Sequence, residues 1–102
     1  MATPTIEDNQ VMIFTAADQE SASTFEINSI VWVSDEATNA DIAADDDLLI
    51  EDGSGVRIAG KRAEAAGDGL ELTGLKLRVK GLKAEELDGG YLYVYGKRIS
   101  TS

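Results

Sequence analysis

The residues of this sequence best suited to chemistry are carboxylates, and several lie in one short stretch. Residues 45–47 are all aspartate, and Glu51 and Asp52 follow after three apolar residues. Hard cations such as Ca²⁺ prefer clustered carboxylate oxygens. An EF-hand loop, however, needs acids at alternate positions followed by glycine, and residues 48–50 are apolar where those ligands should be. We therefore expect a solvated acidic loop and no bound metal, with a calcium site assembled from separate loops as the alternative.

Other catalytic and cofactor-binding motifs are incomplete. The sequence has no histidine and no cysteine, which removes the usual general base, the commonest metal ligand and any thiolate site. Gly53-Ser54-Gly55 lacks the third glycine and the following helix of a dinucleotide-binding loop, so it is typical of a turn. Neither a phosphate-binding loop nor a Gly-x-Ser-x-Gly motif is present. We predict a protein that is not an enzyme, with no catalytic residues and no cofactor.

Aromatic residues form a second candidate site. Tyr91, Tyr93 and Tyr95 alternate with Leu92 and Val94, and they are half of the aromatic residues, which are three Tyr, two Phe and one Trp. Successive side chains of a strand point to opposite faces, so the two aliphatic residues can enter a core while the tyrosines cannot. The tyrosines could pack against a loop of their own chain, stack on carbohydrate or form an intersubunit contact. We favour the contact, because tyrosine combines a large apolar area with a polar tip.

Charge is distributed unevenly along the chain. Residues 1–56 contain 13 acidic and no basic residues, and residues 57–102 contain six acidic and nine basic residues, which gives the net charge of −10. This balance disfavours nucleic-acid binding. Solubility is the simplest explanation, and attraction to a basic partner surface is the alternative. Lys76, Arg78 and Lys80 alternate with apolar residues; they indicate a solvated strand face or a face that docks an acidic neighbour.

Short apolar segments separated by polar turns predict an all-β fold. Strands are expected within residues 10–15, 24–33, 48–62, 75–87 and 91–97. Residues 16–23 and 34–47 are expected to be loops, the second with a possible helical turn at 40–44, and residues 63–74 a loop that leads into a strand. The alternation of buried positions changes parity after Asn28-Ser29, so either this end of the strand is covered on both sides or a bulge shifts the register there. Parity changes again at Gly74, which indicates a bulge or a bend. Trp32 is expected in the core. Six to eight short antiparallel strands suggest a small β-sandwich or jelly roll.

The chain length is that of one domain. We predict a single β domain at 10–97, a flexible or extended N-terminal arm at 1–9 and a C-terminal tail at 98–102. No apolar run approaches the ~20 residues that cross a bilayer, and no signal peptide is visible, so we expect no membrane association.

Three segments together resemble a known group of proteins. They are SIVWV (29–33), LLIEDGSGVRI (48–58) and LKLRVKGLKAEELDGGYLYVYGK (75–97). Their order is similar to that in small all-β virion proteins of tailed bacteriophages, including phages of cyanobacteria and other marine bacteria. The resemblance spans about residues 24–97, and VKGLKAEELDGGYLYVY is its most distinctive part. The acidic first half and the tail from Gly96 onward depart from the group.

The resemblance implies a structural component of a virion, assembled in the host cytoplasm. Its most plausible role is a capsid decoration, or cement, protein that binds the major capsid protein or another virion protein, as a homo-oligomeric trimer or dimer. Tyr91, Tyr93 and Tyr95 would supply the apolar part of the interface, and Lys76, Arg78 and Lys80 its electrostatic orientation. The alternatives are a tail, neck or fibre-associated protein, a carbohydrate- or surface-binding module, and an acid-based hydrolase.

Overall fold

Alternating apolar residues and closely spaced turns organise the chain as strands alone. The computed structural model describes residues 3–34 and 41–100, and neither range contains a helix. The strands are β1 Thr5–Glu7, β2 Val11–Phe14, β3 Glu20–Val33, β4 Asp47–Asp52, β5 Arg57–Arg62, β6 Leu70–Leu72, β7 Leu77–Leu87 and β8 Tyr91–Ser100. A helix long and apolar enough to cross a membrane is therefore absent from both ranges.

The eight strands belong to one antiparallel sheet. Its order is β1-β2-β8-β3-β7-β4-β5, with β6 also paired to β3. The long strand β7 pairs with β3 along its first half and with β4 along its second half, so one face of the sheet surrounds a common core. The buried core residues are Met12, Phe14, Phe25, Ile27, Ile30, Trp32, Ile42, Leu48, Ile50, Ala63, Val79, Leu82, Ala84, Leu87, Leu92 and Val94. The predicted all-β sandwich or jelly roll of six to eight antiparallel strands is confirmed.

A bulge in β3 divides one of its edges between two strands. Strand β7 pairs with residues 20–27 and β6 with residues 30–32, while β8 follows the opposite edge. Between these two segments the register with β8 shifts, and the Asn28 carbonyl accepts a hydrogen bond from the Leu75 N–H at 2.9 Å. Gly74, in the β6–β7 connection, has a φ of 69°, which glycine adopts without a steric penalty. The two predicted irregularities are therefore parts of one feature.

The indole of Trp32 fills the end of the core beside the β7–β8 turn. Its side chain is fully buried, as the sequence predicts, and its Nε1–H donates to the Gly89 carbonyl at 2.8 Å. Ile42, from the loop before β4, packs against the backbone of Gly90, where a Cβ would collide with it. The Ile42 carbonyl in turn accepts a hydrogen bond from the Gly67 N–H at 2.8 Å. Two loops and one turn thus close the core around a single aromatic side chain.

The expectation that residues 16–23 form a loop is wrong for their second half. Strand β3 already begins at Glu20, which pairs with Lys83 of β7. Ser21 and Ser23 are buried on its inner face, where small hydroxyl side chains fit beneath the sheet. Polar composition led to the loop prediction, but strand propensity depends on the neighbouring strand and on burial more than on the residue itself. The long strand β7 supplies that neighbour.

Strand pairing extends beyond the predicted domain limits of 10 and 97. Residues 5–7 pair with β2, and β8 continues to Ser100. The Arg98 N–H donates to the Asn9 carbonyl at 2.7 Å, so these extensions are joined to each other as well as to the sheet. Residues 1–2 of the predicted arm, 101–102 of the tail and 35–40 of the acidic connector lie outside the described residues. Residues 41–44 of the possible helical turn are not helical.

Candidate functional site

The three tyrosines are the centre of an apolar surface on the side of the sheet that faces away from the core. In the register of β8, Tyr91 lies opposite Val33 and Tyr93 opposite Val31, both on β3. On the other side, β2 places two further aliphatic residues beside Tyr93 and Tyr95. We call this surface the outer face. Its residues are Val11, Ile13, Val31, Val33, Tyr91, Tyr93 and Tyr95.

Every residue of the outer face keeps access to solvent in the part of the chain that the structure describes. Tyr95 is 38% exposed and Val33 is 39% exposed, and the other five are half-buried. The rings of Tyr93 and Tyr95 stack with their centroids 6.3 Å apart and an interplanar angle of 15°. Leu92 and Val94, between the tyrosines, are fully buried on the opposite side. A contiguous apolar surface on so small a domain is typical of an interaction site.

A row of charged residues borders the outer face at one end. Lys97 lies on β8 two residues after Tyr95. In the strand register it is opposite Glu26 of β3, and Glu26 is opposite Arg78 of β7. The Arg78 Nη2 and Glu26 Oε2 atoms are 3.6 Å apart. Lys80 follows in the next row, beside Thr24. We call Arg78, Lys80 and Lys97 the basic margin, and it lies on the same side of the sheet as the tyrosines.

The structure therefore brings together most of the residues that the sequence singled out. Arg78 and Lys80 adjoin the tyrosine row across β3, whereas Lys76 is exposed just before β7 begins. Lys97 was missed, although the sequence contains a signal for it. It continues the alternation of Tyr91, Tyr93 and Tyr95, so it must share their face while the strand remains regular. The role of these residues as an interface stays a prediction.

Two of the three acidic residues 45–47 accept hydrogen bonds around the turn that precedes β4. The Asp46 carboxylate accepts a hydrogen bond from the Ala43 N–H at 2.8 Å. The Asp47 carboxylate accepts one from the Arg62 Nε–H at 2.8 Å, and this contact lowers the pKa of Asp47. Among the described residues no group of three or more carboxylates is arranged to hold a metal ion.

The uneven charge of the sequence is partly compensated by pairing in the folded chain. Ion pairs join Arg62 to Asp47, Arg78 to Glu26 and Lys83 to Asp18, and each connects a base from residues 57–102 to an acid from residues 1–56. Because β3 lies between β8 and β7, the two halves of the sequence alternate across the sheet. Folding thus brings acidic and basic residues side by side. Within the described residues, Lys80 and Lys97 have no such ion pair.

The Asp68 carboxylate offers a test of these local contacts through pH. It accepts hydrogen bonds from the Glu64 N–H at 3.0 Å and the Lys61 ammonium at 3.2 Å, and both contacts lower its pKa from the ordinary value of 3.8. A carboxyl whose pKa is lower in the folded state stabilises the fold above its unfolded pKa, and this stabilisation is lost as pH falls through the folded value. We expect Asp68→Asn to lower the melting temperature at pH 7.

The difference between Asp68→Asn and the unsubstituted protein should shrink as pH falls below about 4. Thermal melts followed by circular dichroism at pH 7, 5, 4 and 3 measure it. Asp45→Asn is the matched control, because the Asp45 side chain is exposed and makes no hydrogen bond within residues 3–34 and 41–100. Asn also tolerates the positive φ of 69° at this position. If Asp68→Asn lowered the melting temperature by the same amount at every pH, the contacts of the ionised Asp68 carboxylate would not be the cause.

Two depressions of the surface are shallow. One depression of about 350 Å³ is lined by charges of both signs, among them Asp47, Arg57, Arg62 and Glu86. A second of about 350 Å³ lies between β3 and the β4–β5 turn, beside Ser21, Gly53 and Lys80. Both are open to solvent and mostly polar. Small-molecule sites are usually enclosed and largely apolar, and neither of these two depressions has that form.

Comparison with known proteins leaves the family of this chain open. No family model matches the sequence, and no curated protein matches it. One solved structure with a similar arrangement is an uncharacterized conserved protein with a double-stranded beta-helix domain from Klebsiella pneumoniae subsp. pneumoniae MGH 78578. It is 13% identical, with a TM-score of 0.34, and the alignment covers 98% of this chain and 78% of that chain. At these values the likeness carries no argument about function, and the candidate site rests on the geometry of the outer face.

Proposed function

We propose that this chain is a non-enzymatic assembly protein whose work is done by the outer face in contact with another protein surface. In its most specific form the proposal is a capsid decoration protein of a tailed bacteriophage, as the sequence resemblance implies. The observation that carries the proposal is the continuous apolar surface around Tyr91, Tyr93 and Tyr95, which keeps access to solvent on the side of the sheet opposite the buried core.

The composition of the outer face supports a protein contact. Interfaces are enriched in tyrosine at their centres and depleted of charged residues there, with polar residues at the rim. Here three tyrosines and four aliphatic residues form the centre, and Lys97, Arg78 and Lys80 lie at one border. Tyrosine rings bury a large area at a small cost in conformational entropy, because only two side-chain torsions are fixed.

The placement of the outer face also suits a structural role. It is carried by β2, β8 and β3 in the middle of the sheet, and the residues opposite it are the largest side chains of the core. Such a surface is rigid, so little ordering energy is lost on binding. In a shell, many copies of a modest contact act together, and repetition replaces the strength of any single interface.

Replacement of Tyr91, Tyr93 and Tyr95 by serine tests this function. The expected result is a folded protein whose affinity for its partner is lower by about 30-fold or more, since central tyrosines commonly contribute 2 kcal/mol or more to binding. The measurement is co-sedimentation with shells assembled from the major capsid protein encoded in the same genome. Circular dichroism checks the fold of the variant.

Val56→Ser is the control for this experiment. Val56 is an exposed apolar residue in the β4–β5 turn, remote from the outer face in the strand order, and its replacement should leave binding unchanged. Equal binding by the triple variant and the unsubstituted protein would refute the proposal. Binding to glycans in place of shells, lost in the same triple variant, would refute it as well and assign the outer face to carbohydrate.

A further inference from the structure

The order of residues along the outer face points to a second copy of this chain as its occupant. We propose that two copies pack outer face to outer face, with their β8 strands antiparallel and a two-fold axis that passes between the rows of Tyr93 and Tyr95. This inference rests on the proposed function, because it takes the outer face to be a contact surface. It assigns that face to a second copy, so that the pair binds the shell through its remaining surface and gains affinity from its two copies.

Strand pairing divides the outer face into four successive rows. The first contains Tyr91 and Val33, the second Tyr93 with Val31 and Ile13, the third Tyr95 with Ser29 and Val11, and the fourth Lys97 with Glu26 and Arg78. Successive rows are separated by two residues of an extended strand, roughly 6.8 Å. A two-fold axis across the strands between the second and third rows places each second row against the partner's third row, and each first row against the partner's fourth.

This arrangement matches apolar residues with apolar residues at the centre. Tyr93 of one copy meets Tyr95 of the other, and the two stacked pairs extend each other. Val11 meets Ile13 in the same way on β2. Aromatic pairs in offset contact stabilise an interface beyond the area that they bury. On β3 the same arrangement places Val31 opposite Ser29 of the partner and Val33 opposite Glu26 of the partner, so the apolar match is confined to β8 and β2.

The ends of the outer face place a cation beside an aromatic ring. Lys97 in the fourth row faces the Tyr91 ring of the partner, and a lysine ammonium over an aromatic ring is attracted by its π electrons.

Charge also argues against the other two-fold arrangement of the same surface. An axis parallel to β8 would place each residue of β8 opposite itself, so the Lys97 side chains of the two copies would meet. Like charges directly opposite each other are destabilising. The antiparallel arrangement avoids this contact and gives each Lys97 an aromatic partner.

The expected size of the contact sets its strength. Three strands about 4.8 Å apart and four rows about 6.8 Å apart give roughly 400 Å² on each copy. Stable interfaces bury about 800 Å² per partner. We therefore expect a reversible dimer, with a dissociation constant in the micromolar range, whose population increases with protein concentration.

Cysteine cross-linking tests both the partner and the orientation, since the chain has no cysteine of its own. Lys97→Cys and Tyr91→Cys are prepared separately and mixed at equal concentration with a bismaleimide whose span is about 10 Å, the usual distance between packed sheets. The expected product is a covalent dimer that contains one copy of each variant, in at least tenfold excess over dimers formed by either variant alone. Denaturing gels and mass spectrometry identify it.

Two results would overturn the inference. Efficient linkage of Lys97→Cys to itself would show the parallel arrangement, and a monomeric mass of the unsubstituted protein by light scattering at 1 mM would exclude a dimer. Shell binding is measured on the same samples, which separates the two proposals. A monomer that binds shells through the tyrosines refutes only the dimer, and a dimer that never binds shells refutes only the proposed function.

Discussion

Trp32→Ala is expected to remove about 3–5 kcal/mol from the free energy of unfolding, the usual cost of truncating a large buried aromatic residue. The indole is fully buried, and its loss leaves a cavity between β3, the β7–β8 turn and Ile42. It also leaves the Gly89 carbonyl without the hydrogen bond that Nε1–H donates. Because domains of this size are stable by only 5–15 kcal/mol in total, this one change should consume much of the stability.

Urea denaturation followed by circular dichroism measures the effect, since tryptophan fluorescence is lost with the single Trp of the chain. The free energy of unfolding of Trp32→Phe should fall between those of Trp32→Ala and the unsubstituted protein. Phenylalanine retains an aromatic ring and lacks only the N–H donor and part of the volume. Val33→Ala is the matched control on the same strand, and its side chain is 39% exposed on the outer face. A loss of less than about 1 kcal/mol for Trp32→Ala would contradict the role assigned to the indole.

Gly96→Ala is expected to destabilise the protein by about 2–4 kcal/mol, at or beyond the usual range for overpacking. Gly96 lies where β8 passes the bulge of β3, and a Cβ there would overlap the Glu26 carbonyl oxygen. The obstacle is backbone within a paired strand, so it cannot rotate away as a side chain would. The Gly96 N–H also donates to the Gln10 carbonyl at 2.8 Å, which holds β8 from the other side.

Gly67→Ala separates this steric effect from the general cost of replacing glycine. Gly67 has a φ of 81°, and no atom lies within 4 Å of a Cβ built on it, so its replacement costs only the left-handed conformation, about 1 kcal/mol. The two variants are compared by urea denaturation under the same conditions. If Gly96→Ala were as stable as Gly67→Ala, the close approach of β8 to β3 at the bulge would be disproved.

Local pattern was sufficient to predict the strands that bury one face. The alternation in residues 91–95 identified both the buried aliphatic pair and the outward tyrosines, and the parity changes at Asn28-Ser29 and Gly74 marked true irregularities. The same logic failed for Leu77. Its alternation with Lys76 and Arg78 predicts that it faces the core, and its register with Ile27 places it on that side, yet it is 38% exposed. Leu77 lies at the start of β7. Alternation predicts the face on which a side chain lies, but it does not predict how completely other residues bury that side chain.

The order of the strands could not be predicted from the sequence. Nothing in residues 10–33 indicates that β2 and β3 are separated by β8, or that β6 and β7 share one edge of β3. Consequently the proximity of Arg78 to the tyrosine row, across β3, was also beyond sequence reasoning. Pairing between distant strands depends on the whole core, and that information is spread over many residues.

The position of β8 between β2 and β3 has a consequence for synthesis of the protein. Strands β2 and β3 follow one another in the chain, but they have no pairing with each other, and the strand that joins them is made some sixty residues later. Until it emerges from the ribosome, both present open hydrogen-bonding edges and unshielded core residues. Folding must therefore follow translation of β8, and it should be slow for a chain of this length because its decisive contacts are far apart in sequence. The nascent protein is most vulnerable to aggregation during that interval.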